Sequence, residues 1–150
     1  MKILEIKTAL QIAKPKAKIY QAIIDPEHMK HYFIAEGSGM MEEGKSISWK
    51  FPEFEEYFPV NVLKLIPNEL ISFEWEGAKD KILLVEIRLV QISNSNTLVK
   101  ITEGAIKADD FGIQWFGRNT EGWANFLACL KAYLEFGINL RKGSFDFIKK

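Results

Sequence analysis

Few side chains in this 150-residue chain have the type and spacing to do chemistry, and Glu103 stands out among them. In the segment Thr97 to Glu103 it shares parity with Val99 and Ile101, so on a strand it falls on their side. A carboxyl turned inward has its pKa raised by burial unless a cation or hydrogen-bond donor answers it. Arg118 and Asn119, a short way along the chain, are the partners to consider. An inward Glu103 would orient a ligand or serve as a general base. An outward one is a solvated residue at a sheet rim. Leu98, apolar on the opposite parity, leaves both readings open.

Other chemical kits are thin. Gly39-Met40-Met41-Glu42-Glu43-Gly44-Lys45-Ser46 matches the G-x-x-x-x-G-K-S phosphate-loop pattern. That loop needs a helix N-terminus directly after it, so that backbone amides face the phosphates. Here Ile47-Ser48-Trp49-Lys50-Phe51 alternates like a strand instead, and two glutamates would crowd a polyphosphate. His28 and His31 lack the further ligands of a metal set and read as surface histidines. Cys129 reads as a buried, inert thiol, and Asp109-Asp110 as a helix-start or turn signal before Phe111-Gly112. There is no G-x-S-x-G and no paired-carboxylate spacing, so no catalytic residue, metal or cofactor is assigned, and an enzyme is the less favoured class.

The elements that would position these residues follow from periodicity. Leu4, Ile6, Leu10 and Ile12 alternate with polar residues as in a half-buried strand. Lys14-Pro15 ends it and opens a short helix to about Ile24; Asp25-Pro26 then caps a second through about Lys30. Glu36 to Lys45 reads as a loop. Strands are predicted over Ser46 to Phe51, Tyr57 to Ile66, Leu70 to Glu76, Lys81 to Gln91 and Thr97 to Glu103, joined by short turns that favour antiparallel neighbours. Asn119 to Lys150 then carries one amphipathic helix, with Trp123, Phe126, Leu127, Leu130, Tyr133, Leu134 and Ile138 on one face. Arg141 and Lys142 followed by Gly143 predict its stop. Its start is unsettled, since Gly112, Gly117 and Gly122 weaken a helix that begins near Asp110.

The strand faces can be set against that helix. Ile71, Phe73 and Trp75 share one face, as do Val85, Ile87 and Leu89, and Trp49 and Phe51. The expectation is an α+β fold: a curved antiparallel sheet of about six strands wrapped around a long C-terminal helix, with two short helices after the first strand. The candidate ligand-binding surface between them comprises Tyr32, Trp49, Phe51, Phe73, Trp75, Val85, Ile87, Ile101 and Glu103, with Trp123, Phe126, Leu127 and Leu130 from the helix. Aromatic residues make up 13% of the chain, so these rings either fill a core or prop open a cavity.

Composition excludes some partners. Twenty basic and twenty acidic residues give no net charge, which argues against nucleic acid. No uncharged run is long enough for membrane insertion, and Met1 to Leu10 is too charged for a leader. One cysteine and no leader fit a cytoplasmic protein, read as one domain over residues 1–150.

Several local strings, in order, resemble a known family. Ala13-Lys14-Pro15 through Ile19-Tyr20-Gln21-Ala22-Ile23 and Asp25-Pro26-Glu27 is similar to the opening of the START and birch-pollen-allergen superfamily. Ile66-Pro67, Phe73-Glu74-Trp75, Thr102-Glu103-Gly104 and Gly122-Trp123 with Leu127, Leu130, Tyr133-Leu134 and Gly137 resemble the branch shared with activators of the heat-shock-chaperone ATPase. The resemblance implies a helix-grip fold with an apolar cavity between sheet and helix. Tyr32 stands where that family usually has Trp, which implies a more polar wall there. Binding of a small apolar or amphipathic molecule is the favoured function. A protein-interaction module, with a chaperone or a second copy as partner, comes next, and an enzyme using Glu103 on a cyclic or polyketide-like substrate third.

Overall fold

Ile3–Ile12 forms strand β1, and every second residue from Leu4 to Ile12 turns toward the interior, as its alternation requires. The computed structural model describes residues 2–149. Met1 and Lys150, the outer ends of the segments read from Met1 to Leu10 and from Asn119 to Lys150, lie outside them. Helix α1 (Lys16–Ile24) follows Pro15, which occupies the capping position, and buries Ile19, Tyr20 and Ile23. Helix α2 (Pro26–Met29) is capped by the Asp25 carboxylate, which accepts from the Glu27 amide at 2.9 Å.

The remaining strands are β2 (Glu36–Gly37), β3 (Ser46–Lys50), β4 (Tyr57–Ile66), β5 (Leu70–Ala78), β6 (Lys81–Ser93) and β7 (Asn96–Lys107). They form one seven-stranded antiparallel sheet in the order β1-β7-β6-β5-β4-β3-β2. The segment read as a loop from Glu36 to Lys45 therefore contributes a two-residue edge strand, Glu36 and Gly37 pairing with Lys50 and Trp49. Two residues are too few for alternation to show in sequence. Asn68 and Asp80 take the left-handed conformation at the two hairpin turns around β5, where short polar side chains tolerate it.

Helix α3 (Asp110–Phe136) takes the earlier of the starts left open and ends sooner than expected. It begins nine residues before Asn119, because the Asp109 carboxylate accepts from the Gly112 amide at 2.8 Å and satisfies an end the glycines would otherwise weaken. It stops at Gly137, not Gly143. Gly137 has φ 66°, and its amide bonds the Tyr133 carbonyl at 3.0 Å. Beyond Leu134 the apolar stripe lapses, so the first glycine after it ends the helix. Arg141 and Lys142, expected in the last turn, lie in the tail that follows, and Ile138 is exposed rather than on the apolar face. The tail ends in a single 3-10 turn at Asp146–Ile148.

The inner face of α3 carries Gly112, Trp115, Trp123, Phe126, Leu127 and Leu130 against the sheet. Its far end is tied to the end of β1: the Ala13 amide donates to Glu135 at 2.8 Å, and Lys131 pairs with the same carboxylate. Those donors hold the Glu135 carboxyl below the usual range.

Gly112 is where the helix meets the sheet most closely. A Cβ there would sit 1.8 Å from the Lys107 carbonyl oxygen, whereas one on Gly117 would meet nothing within 4 Å. Gly112→Ala is therefore expected to destabilise by at least about 1–3 kcal/mol. Gly117→Ala should stabilise by about 0.5–1 kcal/mol through helix propensity. Urea midpoints of the two variants should move in opposite directions, and movement in the same direction would refute this account of the helix start.

Candidate functional site

Glu103 faces inward and has no solvent exposure, which settles its orientation. The Trp75 indole on β5 donates to its Oε2 at 2.7 Å, and the Asn119 amide on α3 donates to Oε1 at 2.8 Å. Asn119 Nδ2 also donates to the Gly77 carbonyl at 2.8 Å. Arg118 is exposed on the other side of α3 and is not a partner. Burial raises the Glu103 pKa, against the downward pull of Asn119, Trp75 and the nearby Trp123 and Trp115 indoles. The Trp115 N–H is buried without a hydrogen bond of good geometry, so two direct bonds hold the carboxylate.

Gly77 makes this cage possible. It interrupts the register between Glu76 and Ala78, a bulge in β5, and a Cβ there would lie 2.6 Å from Glu103 Oε2. The bulge brings a backbone carbonyl toward Asn119 and leaves room for the carboxylate.

The rings around the cage touch. Trp75 and Trp123 lie 5.8 Å apart between centroids, Trp49 and Phe73 5.4 Å, and Phe33 and Phe126 4.7 Å. The last two are edge-to-face, a geometry that adds about 0.5–1.5 kcal/mol per pair beyond area burial. Trp49, Phe73, Val85, Ile87, Ile101, Leu127 and Leu130, all expected at the binding surface, are buried core residues away from the opening, and Phe51 is likewise buried. Of the residues read from the sequence, Tyr32, Trp75, Trp123 and Phe126 border a pocket of about 190 Å³, which opens beside α3 rather than deep under the sheet.

Glu103 does not line that pocket; it stands behind Trp75 and Asn119, which do. Nor does Tyr32 make the wall more polar. Its hydroxyl donates to the Ala22 carbonyl at 2.8 Å, and burial pushes its pKa well up. The other lining residues were not anticipated as ligand contacts: Phe33, Gly122, Asn125 and Cys129, with Arg141 and Phe145 from the tail. Taking Gly137 as the helix stop would have pointed to the last two, since a chain leaving there can fold back.

Arg141 is the anchor of that tail. It makes a two-pronged ion pair with Glu53 at 2.6 and 3.3 Å, and its guanidinium lies 4.9 Å from the Phe145 ring centre and 5.7 Å from that of Phe51. The Glu53 side chain is only 4% exposed, so the pair is largely shielded from water. Cys129 lies in the pocket, its thiol pushed up by burial and drawn down by Arg141.

The histidines are not merely solvated. His28 Nδ1 is 2.6 Å from the Tyr133 hydroxyl, and His31 stacks on the same ring. Among the described residues no group of three or more His, Cys, Asp or Glu could hold a metal. The phosphate-loop match fails structurally as well: Ser46 opens strand β3, and Lys45 pairs with Glu42 at 2.8 Å. Among the described residues no helix is long and apolar enough to cross a membrane.

An antiparallel sheet folded around one long helix, with a ring-lined opening beside it, makes this a helix-grip protein of the START-like kind. The family model described as Activator of Hsp90 ATPase homolog 1-like protein matches residues 13–135, and the chain belongs to that family. Comparison with curated proteins gave no match. Among solved structures, the protein SSP2350 from Staphylococcus saprophyticus is 28% identical with a TM-score of 0.80, over 92% of this chain and 96% of that one. The Aha1 dimer from Colwellia psychrerythraea is 26% identical with a TM-score of 0.75, over 89% and 98%. CalU16 from Micromonospora echinospora, at 20% identity and a TM-score of 0.69 over 87% and 74%, shares the fold.

Two outcomes test this geometry. Because the folded-state pKa of Glu103 is raised, its carboxyl favours folding most below the ordinary glutamate pKa, about 4.3. That contribution is lost as pH rises through the folded value. The stability of the wild type relative to Glu103→Gln should therefore fall between pH 4 and 7 in urea titrations, and a difference independent of pH would sink the assignment. Arg141→Ala should speed the reaction of Cys129 with a thiol reagent several-fold. Loss of the guanidinium also removes a charge that lowers the thiol pKa, so a faster reaction would report access rather than intrinsic reactivity.

Proposed function

We propose that this protein is a non-catalytic binder of a small hydrophobic or amphipathic molecule, held in the pocket between Phe33, α3 and the tail. The observation that carries the reading is the pocket itself: ring-walled, open at one side, and bordered by a few polar groups. Its size constrains the occupant. A cavity of about 150 Å³ accepts benzene, whereas drug-sized ligands take about 300–1,000 Å³. At about 190 Å³ the pocket suits one ring or a short alkyl chain.

A second reading is favoured by the surface. Phe136, Ile138, Leu140 and Phe147 are exposed around the helix end, and Phe147 is 81% exposed. Together with family membership and the likeness to a dimeric Aha1, this supports an interaction module that meets a second copy or a chaperone. The enzyme reading has the least support, because none of the side chains that bond or flank Glu103 titrates near neutral pH.

Native mass spectrometry of freshly purified protein reads both possibilities at once, as a bound small mass or as a doubled chain. Gly122→Leu sharpens the test. A Cβ on Gly122 would meet nothing within 4 Å, yet the residue borders the pocket. Leucine there should fill the opening and weaken ligand binding by about tenfold, roughly 1.4 kcal/mol. The melting temperature should hold or rise, since the helix gains propensity. Unchanged affinity in this variant would refute the pocket as the binding site.

A further inference from the structure

The pocket does not end at the tail. A groove of about 400 Å³ adjoins it across the tail, and Tyr32, Phe33, Arg141 and Phe145 border both. The two ends differ in charge. Lys30, Arg141, Lys142 and Lys149 border the groove, against Glu53 and Asp146. Lys30 and Lys149 pair at the surface with Glu27 and Asp146, at 3.1 and 3.3 Å, whereas Lys142 has no carboxylate within 4.0 Å among the described residues. The inner end is the reverse. Both hydrogens of the Asn119 amide are directed to Gly77 and Glu103, leaving its Oδ1 as an acceptor, and the Glu103 carboxylate stands directly behind.

An anion at the inner end would face a buried carboxylate, while one at the outer end would face the unpaired Lys142, with Lys30 beside it only partly offset by the exposed Glu27. We infer that the ligand is a small amphipathic anion, such as a carboxylate, its ring or short chain inside and its charged end outward at Lys30 and Lys142. This rests on the binder reading above and adds the chemical class and the orientation of the ligand. Arg141 marks the boundary, stacked on Phe145 and already neutralised by Glu53, so the discriminating charge falls to the lysines.

The test uses two probes with the same apolar body, 3-phenylpropanoate and 3-phenylpropan-1-ol, titrated calorimetrically at low salt. The acid should bind more tightly than the alcohol, and its affinity should fall as salt rises. Combining Lys30→Glu with Lys142→Glu, both exposed positions, should weaken the acid by about tenfold and leave the alcohol within about twofold. Equal binding of both probes, or tighter binding of the alcohol, or an acid affinity indifferent to the charge reversal, overturns the inferred head group while the pocket reading stands. Binding of neither probe overturns the pocket reading itself.

Discussion

A carboxylate without solvent exposure has to be answered by donors, and the donors that answer Glu103 come from separate parts of the chain. Trp75 reaches it from β5 and Asn119 from α3, while Glu103 itself belongs to β7. One side chain thus fixes the helix against the sheet at a chosen height and rotation. An apolar contact of the same area would permit sliding; the two directed bonds that Asn119 makes across to the sheet, one of them to the Glu103 carboxylate, do not. Burial still keeps the pKa raised, so the cage favours specificity over strength. The bulge at Gly77 belongs to the same constraint, because the carbonyl it presents holds the other hydrogen of Asn119.

With the helix fixed, the rings have little freedom. Trp49, Phe73, Phe126 and their neighbours close most of the space that a curved sheet leaves around a helix, and the opening is displaced to the side of α3. The open space is left where no ring is supplied, at Gly122. Its outer wall comes from a tail anchored through the Arg141–Glu53 pair.

The architecture was legible because it rests on repeated signals. Alternation in β1 and β4 to β7 and the stripe from Trp123 to Leu134 each recur over many residues. The same parity raised an inward Glu103 without deciding it, because Leu98 gave the opposite signal. What escaped was single-residue geometry. Gly137 and Gly143 are both left-handed, and nothing local says which of them ends the helix. The bulge at Gly77 leaves no mark in a pattern of period two. Phe33 adjoins the expected Tyr32, yet it is Phe33 that meets Trp49, Trp123 and Phe126, a choice made by tertiary packing. Most of the expected ligand surface lies in the core away from the opening for a related reason: parity separates inside from outside and does not tell core from cavity.

The helix stop at Gly137 divides the protein into two parts under different constraints. The grip ends at Phe136, almost where the family match ends at residue 135, and the segment that shapes the pocket mouth lies beyond it. Changes in that segment can redraw the entrance while Glu103, Trp75 and Asn119 stay as they are. If the pocket binds as proposed, the terminal stretch is the part whose exchange between family members would move selectivity from one frame to another.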